Sequence, residues 1–235
     1  MACGMWFLNV FDLIYEDAAL LVFNKPSGLL SVPGKGPEKA DCLRTRVQQI
    51  YPEALTVHRL DMSTSGILLM ARSADLHRSL SIAFANREVH KRYIAVVNGQ
   101  ISAETSEHRA DLSDDFSDDA LTWRLIDLPI ATDWINRPLQ KIDPIEGKPS
   151  QTRYKVLAYD AATNSTRVEL APVTGRTHQL RVHLQSLGHP ILGDHLYASP
   201  EIQAKSPRLM LHASRLAINH PVTGEQMQWV AEAPF

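Results

Sequence analysis

Strand-like runs outnumber helical ones along this chain, and the two do not alternate one for one. ALLVFN (19–24), ILLMA (67–71), HKRYIAVVNG (90–99), SQTRYKVLAY (150–159), STRVELAPV (165–173), RLMLHASRLAI (208–218) and QMQWVAEA (226–233) all read as strands. Helical spacing is confined to LRTRVQQIY (43–51), SADLHRSLSIAFANREV (73–89) and RTHQLRVHLQSLG (176–188). In the second of these Leu76, Leu80, Ala83 and Phe84 share a face, with Ser73 placed to cap and Asp75 in the first turn. In the third, Leu180, Leu184 and Leu187 share a face and Gly188 stops the helix. A Rossmann-type sheet needs strand and helix in strict turn, so this order predicts an α+β fold on a largely antiparallel sheet. Asn164 marks a hairpin between two of the strands, and residues 121–150 carry many turn signals.

The 235 residues suffice for one large domain or two packed subdomains, and show no internal repeat. The expectation is a single domain over 1–235. Only two cysteines occur, Cys3 and Cys42, so neither a disulfide framework nor a paired-cysteine zinc motif exists, and a reducing compartment is expected. The opening MACGMWFLNVFDLIYED has no basic leader, and Asn9 and Asp12 break its apolar stretch. No membrane span and a cytoplasmic location are expected.

The net charge of −2 looks wrong for a nucleic-acid binder, but its distribution is uneven. Residues 103–119 hold Glu104, Glu107, Asp111, Asp114, Asp115, Asp118 and Asp119 against Arg109 alone, a net of −6 that leaves +4 elsewhere. The expectation is a mildly basic body carrying an acidic loop over 101–120. Its DLSDDFSDD stretch lacks calcium-loop spacing, and GKGPEK (34–39) lacks the order of a phosphate-binding P-loop.

Three segments carry side chains suited to chemistry. In HRLDMSTSG (58–66) one acid, Asp61, stands among small hydroxyl residues just before an apolar strand, with Arg59 two positions away. Such a carboxylate serves either as nucleophile or base, or as a cap on a strand-entry turn. GRTHQLRVH (175–183) gathers Arg176, His178, Gln179, Arg181 and His183. Residues 178 and 181 are spaced to share a helical face, and Arg176 with first-turn N–H groups suits phosphate. A solvated amphipathic face fits the same pattern. The two histidines are five apart, which misses the spacing of a helical zinc pair. In HKRYIAVVNG, Tyr93 beside Lys91 and Arg92 reads either as a base-stacking aromatic or as half-buried packing.

Taken together, the segments resemble the RluA family of RNA pseudouridine synthases. The matching pieces are NKPSGLLSVPG (24–34), VHRLDMSTSGILLMA (57–71), KRYIAVVNG (91–99), GKPSQTRYKVL (147–157), PVTGRTHQLRVHLQSLGHPILGDHLYA (172–198) and RLMLHASRLAINHP (208–221). HRLD and GRTHQLRVH, in this order and about 120 residues apart, are the specific pair. DLPIATDWINRPLQKI (127–142) is similar to the short members that have no N-terminal S4 RNA-binding domain. The acidic stretch looks longer than this subgroup usually has.

The resemblance implies the pseudouridine synthase fold with an active-site cleft, and breakage and remaking of the uridine–ribose bond without cofactor or metal. It implies as substrates a uridine in a 23S rRNA loop and one in tRNA anticodon stem-loops, with no membrane, no obligate protein partner and a monomeric enzyme. Asp61 would be the catalytic nucleophile or proton acceptor. Arg181 would pair with it and keep it ionised. Tyr93 would stack on the flipped uracil and assist proton movement. Arg59 would enter the space the base leaves. Leu60, Thr64, Arg176, His178, Gln179, Lys91 and Arg92 would contact substrate or RNA.

Two other classes share features with this one. A non-catalytic RNA-binding or ribosome-assembly protein would have no need of Asp61, Tyr93 and Arg181 together. A glycoside or nucleoside hydrolase shares chemistry at C1′ but wants a second facing carboxylate, which the matched motifs lack.

Overall fold

A computed structural model describes residues 11–101 and 123–235. The chain divides into two compact units: the part up to Val89 with Arg215–Ala231, and His90–Ser214 with Glu232–Phe235. Expected positions Cys3 and the acidic stretch from residue 102 to 120 lie outside the described residues.

The first unit is built on strands β1 (Asp12–Glu16), β2 (Leu20–Lys25), β3 (Leu55–Thr56) and β4 (Ser65–Ala71), with helices α1 (Leu43–Gln48) and α2 (Ala74–Ala85). β2 pairs antiparallel with β1 and β4, and β3 with β4. β4 is buried along its whole length, which explains its unbroken apolar sequence: both faces are covered. Alternate residues serve two cores. Leu20, Val22, Ile67, Leu69 and Ala71 pack with Leu80, and with Leu76, Ala83 and Phe84 of α2. Leu21, Phe23, Leu68 and Met70 pack on the other side with Leu43 and Val47 of α1.

Ser73 caps α2 by accepting from Leu76 N, as the sequence predicts. The helix stops at Ala85, four residues before the predicted end. Arg87 enters the left-handed region (φ 64), and Glu88 N–H closes on Ala83 O at 3.0 Å, a Schellman-type stop without glycine. α1 is likewise shorter than predicted. Its start is fixed by a Cys42–Thr45 capping box, which no preference ranking for caps suggests.

The second unit contains β5 (His90–Asn98), β6 (Arg124–Asp127), β7 (Ile130–Thr132), β8 (Gln140–Ile142), β9 (Gln151–Asp160) and β10 (Ser165–Pro172). It also holds helices α3 (Gln179–Ser186) and α4 (Pro200–Gln203). β10 pairs antiparallel with β5 and β9, and β6 with β9; β7 and β8 form a separate hairpin. The expected β9–β10 hairpin turns at Asn164, which is left-handed (φ 48). Leu180 and Leu184 of α3 pack onto Ala95, Val97, Val168 and Leu170.

The chain passes back to the first unit within β11 (Leu211–Asn219), whose later residues Leu216 and Ile218 join the first unit's core. β12 (Gln226–Val230) pairs antiparallel with that later half of β11. The elements match the α+β, mainly antiparallel expectation. Among the described residues no helix is long and apolar enough to cross a membrane.

Candidate active site

Asp61 sits on the turn between β3 and β4, half-buried, with Arg59 exposed and Leu60 buried beside it. The turn is held from the end of β2 and the segment that follows it. Ser31 Oγ donates to Leu60 O at 2.7 Å and accepts from Leu60 N at 3.0 Å. Lys25 Nζ, on a fully buried side chain, donates to Pro26 O, Leu29 O and Met62 O at 2.9, 2.7 and 3.2 Å. Ser27 Oγ donates to Ser63 O at 2.7 Å, and Gly28 N to Met62 O at 2.8 Å. Gly28 needs its glycine, since its φ is +87. Asp61 O accepts from Thr64 N at 3.1 Å, closing the turn, and the Thr64 side chain is buried. His58 anchors the approach: its Nε2 accepts from Leu69 N at 3.0 Å, and its ring stacks on Phe84. The Asp61 carboxylate therefore projects from a backbone clamped at residues 60, 62 and 63.

In the second unit Arg181 and Asp194 form a bidentate pair. Nε lies 2.8 Å from Oδ2 and Nη2 lies 2.7 Å from Oδ1, with side-chain exposures of 2% and 0%. Oδ1 also accepts from Leu196 N and Tyr197 N. Burial acts to raise the Asp194 pKa. The hydrogen bonds and charge of Arg181 and the two N–H groups outweigh it, and hold the carboxyl below the ordinary carboxylate range. The guanidinium also lies over the Tyr197 ring at 5.1 Å. Tyr197 Oη in turn meets His178 Nδ1 at 2.7 Å.

His178 and Arg181 thus converge on one tyrosine, by a route different from the helical face that the sequence predicts. α3 begins only at Gln179, because His178 is left-handed (φ 54), so 178 and 181 are not on a common helical face. Arg176 precedes the helix and is exposed, its guanidinium near Pro149 O at 3.3 and 3.4 Å.

Gln179, expected to contact RNA, is engaged inside the protein. Its Oε1 accepts from Thr174 Oγ1 and Arg176 N, and its Nε2 donates to Gln151 O and Thr152 Oγ1. It shapes the turn that presents Arg176. His183 is a core histidine between Thr152 Oγ1 and Leu128 O, and burial pushes its pKa down. Tyr93 lies half-buried on β5, opposite Leu170 and packed on the second unit's core. Burial lowers the pKa of Lys91. Arg92 stacks its guanidinium on Trp123 at 4.7 Å.

Asp61, Arg59, Leu60 and Thr64 belong to the first unit; Tyr93, Lys91, Arg92, Arg176, His178, Gln179 and Arg181 belong to the second. Sequence reasoning assigned no role to Lys25, Ser31, Asp194 or Tyr197. All four lie in the segments that carry the family resemblance, which was the only signal available for them.

The model of the RNA pseudouridylate synthase family matches residues 19–186, a span that contains the clamped Asp61 turn, Tyr93 and all of α3. The chain belongs to this family. The synthase is 48% identical over 223 residues to the dual-specificity RNA pseudouridine synthase RluA of Escherichia coli (strain K12), covering 95% of this chain and 93% of that protein. It is 47% identical to the RluA of Yersinia pestis, covering 95% and 99%. Among solved structures it resembles human RNA pseudouridylate synthase domain containing 1, with a TM-score of 0.74 and 29% identity over 100% of this chain and 87% of that one. The synthase is accordingly an RNA-modifying isomerase, and its α+β sheet architecture is the pseudouridine synthase fold.

Proposed function

We propose that this synthase converts a uridine in a 23S rRNA loop and a uridine in the tRNA anticodon stem-loop to pseudouridine, with Asp61 as the catalytic carboxylate. The observation that carries the assignment is the clamped turn: Ser31, Lys25 and Ser27 fix the backbone on both sides of Asp61 and leave its side chain part-exposed. A reacting group must be held to a fraction of an ångström, and the shell beneath it does that work. The RluA relatives are dual-specificity RNA pseudouridine synthases, and the similarity to them supports the two RNA classes.

The reaction breaks N1–C1′, turns the uracil and forms C5–C1′; N1 gains a proton and C5 loses one. Mass is unchanged, and the chemistry calls for no cofactor or metal. The target base must first leave its stack, which costs a few kcal/mol and is cheapest in a loop. In this reading Asp61 acts at the glycosidic bond. Arg181 supplies the positive charge that keeps a carboxylate ionised away from water. Tyr93 stacks on the extruded uracil and serves the late proton movement. Arg59, the exposed neighbour of Asp61, fills the vacated stack. Lys91, Arg92 and Arg176 meet phosphates, and Leu60, Thr64 and His178 shape the pocket.

The enzyme works as a monomeric single catalytic domain in the cytoplasm, without an obligate protein partner, and the acidic segment 101–120 takes no part in the chemistry. Mapping of pseudouridines in total RNA from cells with and without the gene tests the assignment. Loss of sites in both 23S rRNA and tRNA is the expected result. An unchanged map, or release of free uracil by the purified protein, would overturn it.

A further inference from the structure

The β7–β8 hairpin ends in a loop that displays an aromatic ring to water. Trp134 is 71% exposed and Ile135 is 93% exposed. The Arg137 guanidinium carbon stands 3.6 Å from the centre of the Trp134 ring. The exposure does not come from a slack loop. Asp133 N–H bonds Leu139 O and Leu139 N–H bonds Asn136 O, both at 3.0 Å, closing the loop on itself. Asp133 further accepts from Asn136 N and Nδ2 at 3.2 and 2.9 Å. A large aromatic ring held outward by this much internal bonding is placed to stack on a planar partner.

We propose that this loop is a second RNA contact, in which Trp134 stacks on an unpaired nucleobase other than the target uridine and Arg137 carries charge to the adjoining phosphate. The inference rests on the reading of the chain as an RNA-modifying enzyme. Three observations favour RNA over a protein surface. A single ring with a flat cation on one face matches a single planar base, and the guanidinium is exposed for a polyanion. Trp134 and Ile135 are far too little to form a stable dimer, which buries about 800 Å² on each partner. The hairpin is also tied to the Arg181 cluster: Gln140 N donates at 2.9 Å to Tyr197 Oη, the same hydroxyl that meets His178. A base held at the loop would therefore be placed relative to Arg181 by a short, hydrogen-bonded path.

The test compares wild type, Trp134→Ala, Trp134→Phe and Arg137→Ala on an anticodon stem-loop RNA. It reads dissociation constant, turnover at saturating RNA, and sedimentation without RNA. Trp134→Ala should weaken binding about tenfold and leave saturated turnover within about twofold, because one stacked base is lost but no reacting group is touched. Trp134→Phe should recover most of the affinity, which a packing defect would not predict. Arg137→Ala should weaken binding and flatten its salt dependence. Unchanged binding in Trp134→Ala, with normal pseudouridine formation by wild type, overturns the inference alone. So does a change of oligomeric state in Trp134→Ala with RNA affinity intact, which would assign the loop to protein contact. If wild type binds RNA through Trp134 but forms no pseudouridine, the contact stands and the catalytic reading falls.

Discussion

Arg181 and Asp194 meet fork to fork at 2.8 and 2.7 Å, both almost wholly out of water. Two nitrogens of the guanidinium are thereby oriented before any substrate arrives. Bidentate geometry fixes the plane of the group as well as its place, which a lysine at the same position would not reproduce.

Asp194→Asn should cost about 3–5 kcal/mol of stability, since a buried guanidinium loses its carboxylate. It should also lower turnover more than RNA affinity. The pH dependence has a definite sign. Asp194 is held below its ordinary pKa in the native state, so the native protein binds fewer protons than the unfolded chain. Its stabilisation is complete above the unfolded value of about 3.9 and is lost as pH falls toward the native value. Urea unfolding of wild type should weaken through that range, and Asp194→Asn should weaken less steeply. Parallel curves for the two proteins would refute the account.

Asp61→Asn should abolish pseudouridine formation while leaving fold and RNA affinity nearly intact. The turn is closed through the Asp61 backbone oxygen and its neighbours' carbonyls, and asparagine keeps that backbone and the size of the side chain while removing its charge. Single-turnover assays with unfolding curves run beside them provide the check. Substantial product from the variant would remove Asp61 from the mechanism.

Tyr93→Phe should bind RNA as wild type does and slow a late step. Removing the hydroxyl leaves the ring opposite Leu170 and its packing on the second unit's core. Product formation equal to wild type at every stage would leave the ring with stacking alone.

The sequence was readable where one interaction scale decided the outcome. The apolar run 67–71 became a strand because burial on both faces dominates there, and Ser73 became a cap because the bond is local. The short strands β6, β7 and β8 were lost among turn signals, since strands of three or four residues carry too little pattern to outvote their neighbours. β1 was missed too, although Asp17 organises its hairpin by accepting from Ala19 N and Leu20 N. At the site, the roles expected of Asp61, Tyr93 and Arg181 rest on resemblance, not on periodicity. Asp194 escaped because its partner is thirteen residues away across a turn, a pairing that no helical spacing encodes. The internal engagement of Gln179 was not legible either, because an amide in a basic segment looks available until its four internal bonds are seen.

Replacement of residues 103–119 by a short Gly/Ser linker should leave turnover on an anticodon stem-loop within a few-fold of wild type. The argument is one of charge alone. This stretch carries −6 in a chain whose remainder is +4, and RNA binding depends on cations that displace counterions. Affinity should hold or rise slightly, most clearly at low salt where repulsion is less screened. A large loss of activity in a folded variant would give the segment a part in the site.

Arg59→Ala should impair structured substrates more than an isolated unpaired loop. Arg59 is exposed while the backbone of its neighbour Leu60 is fixed by the clamp, so its side chain can reach RNA without moving the Asp61 turn. In the proposed role it offsets the cost of vacating a stack, and that cost grows with the pairing and stacking of the target base. A phosphate contact would behave differently, weakening all RNAs alike and reducing the salt dependence by a similar amount on each. Measuring kcat/KM on a stem-loop and on a matched single strand, at two salt concentrations, separates the two roles. A larger loss on the stem-loop with unchanged salt dependence supports the stacking role; equal losses on both RNAs would place Arg59 on phosphate instead.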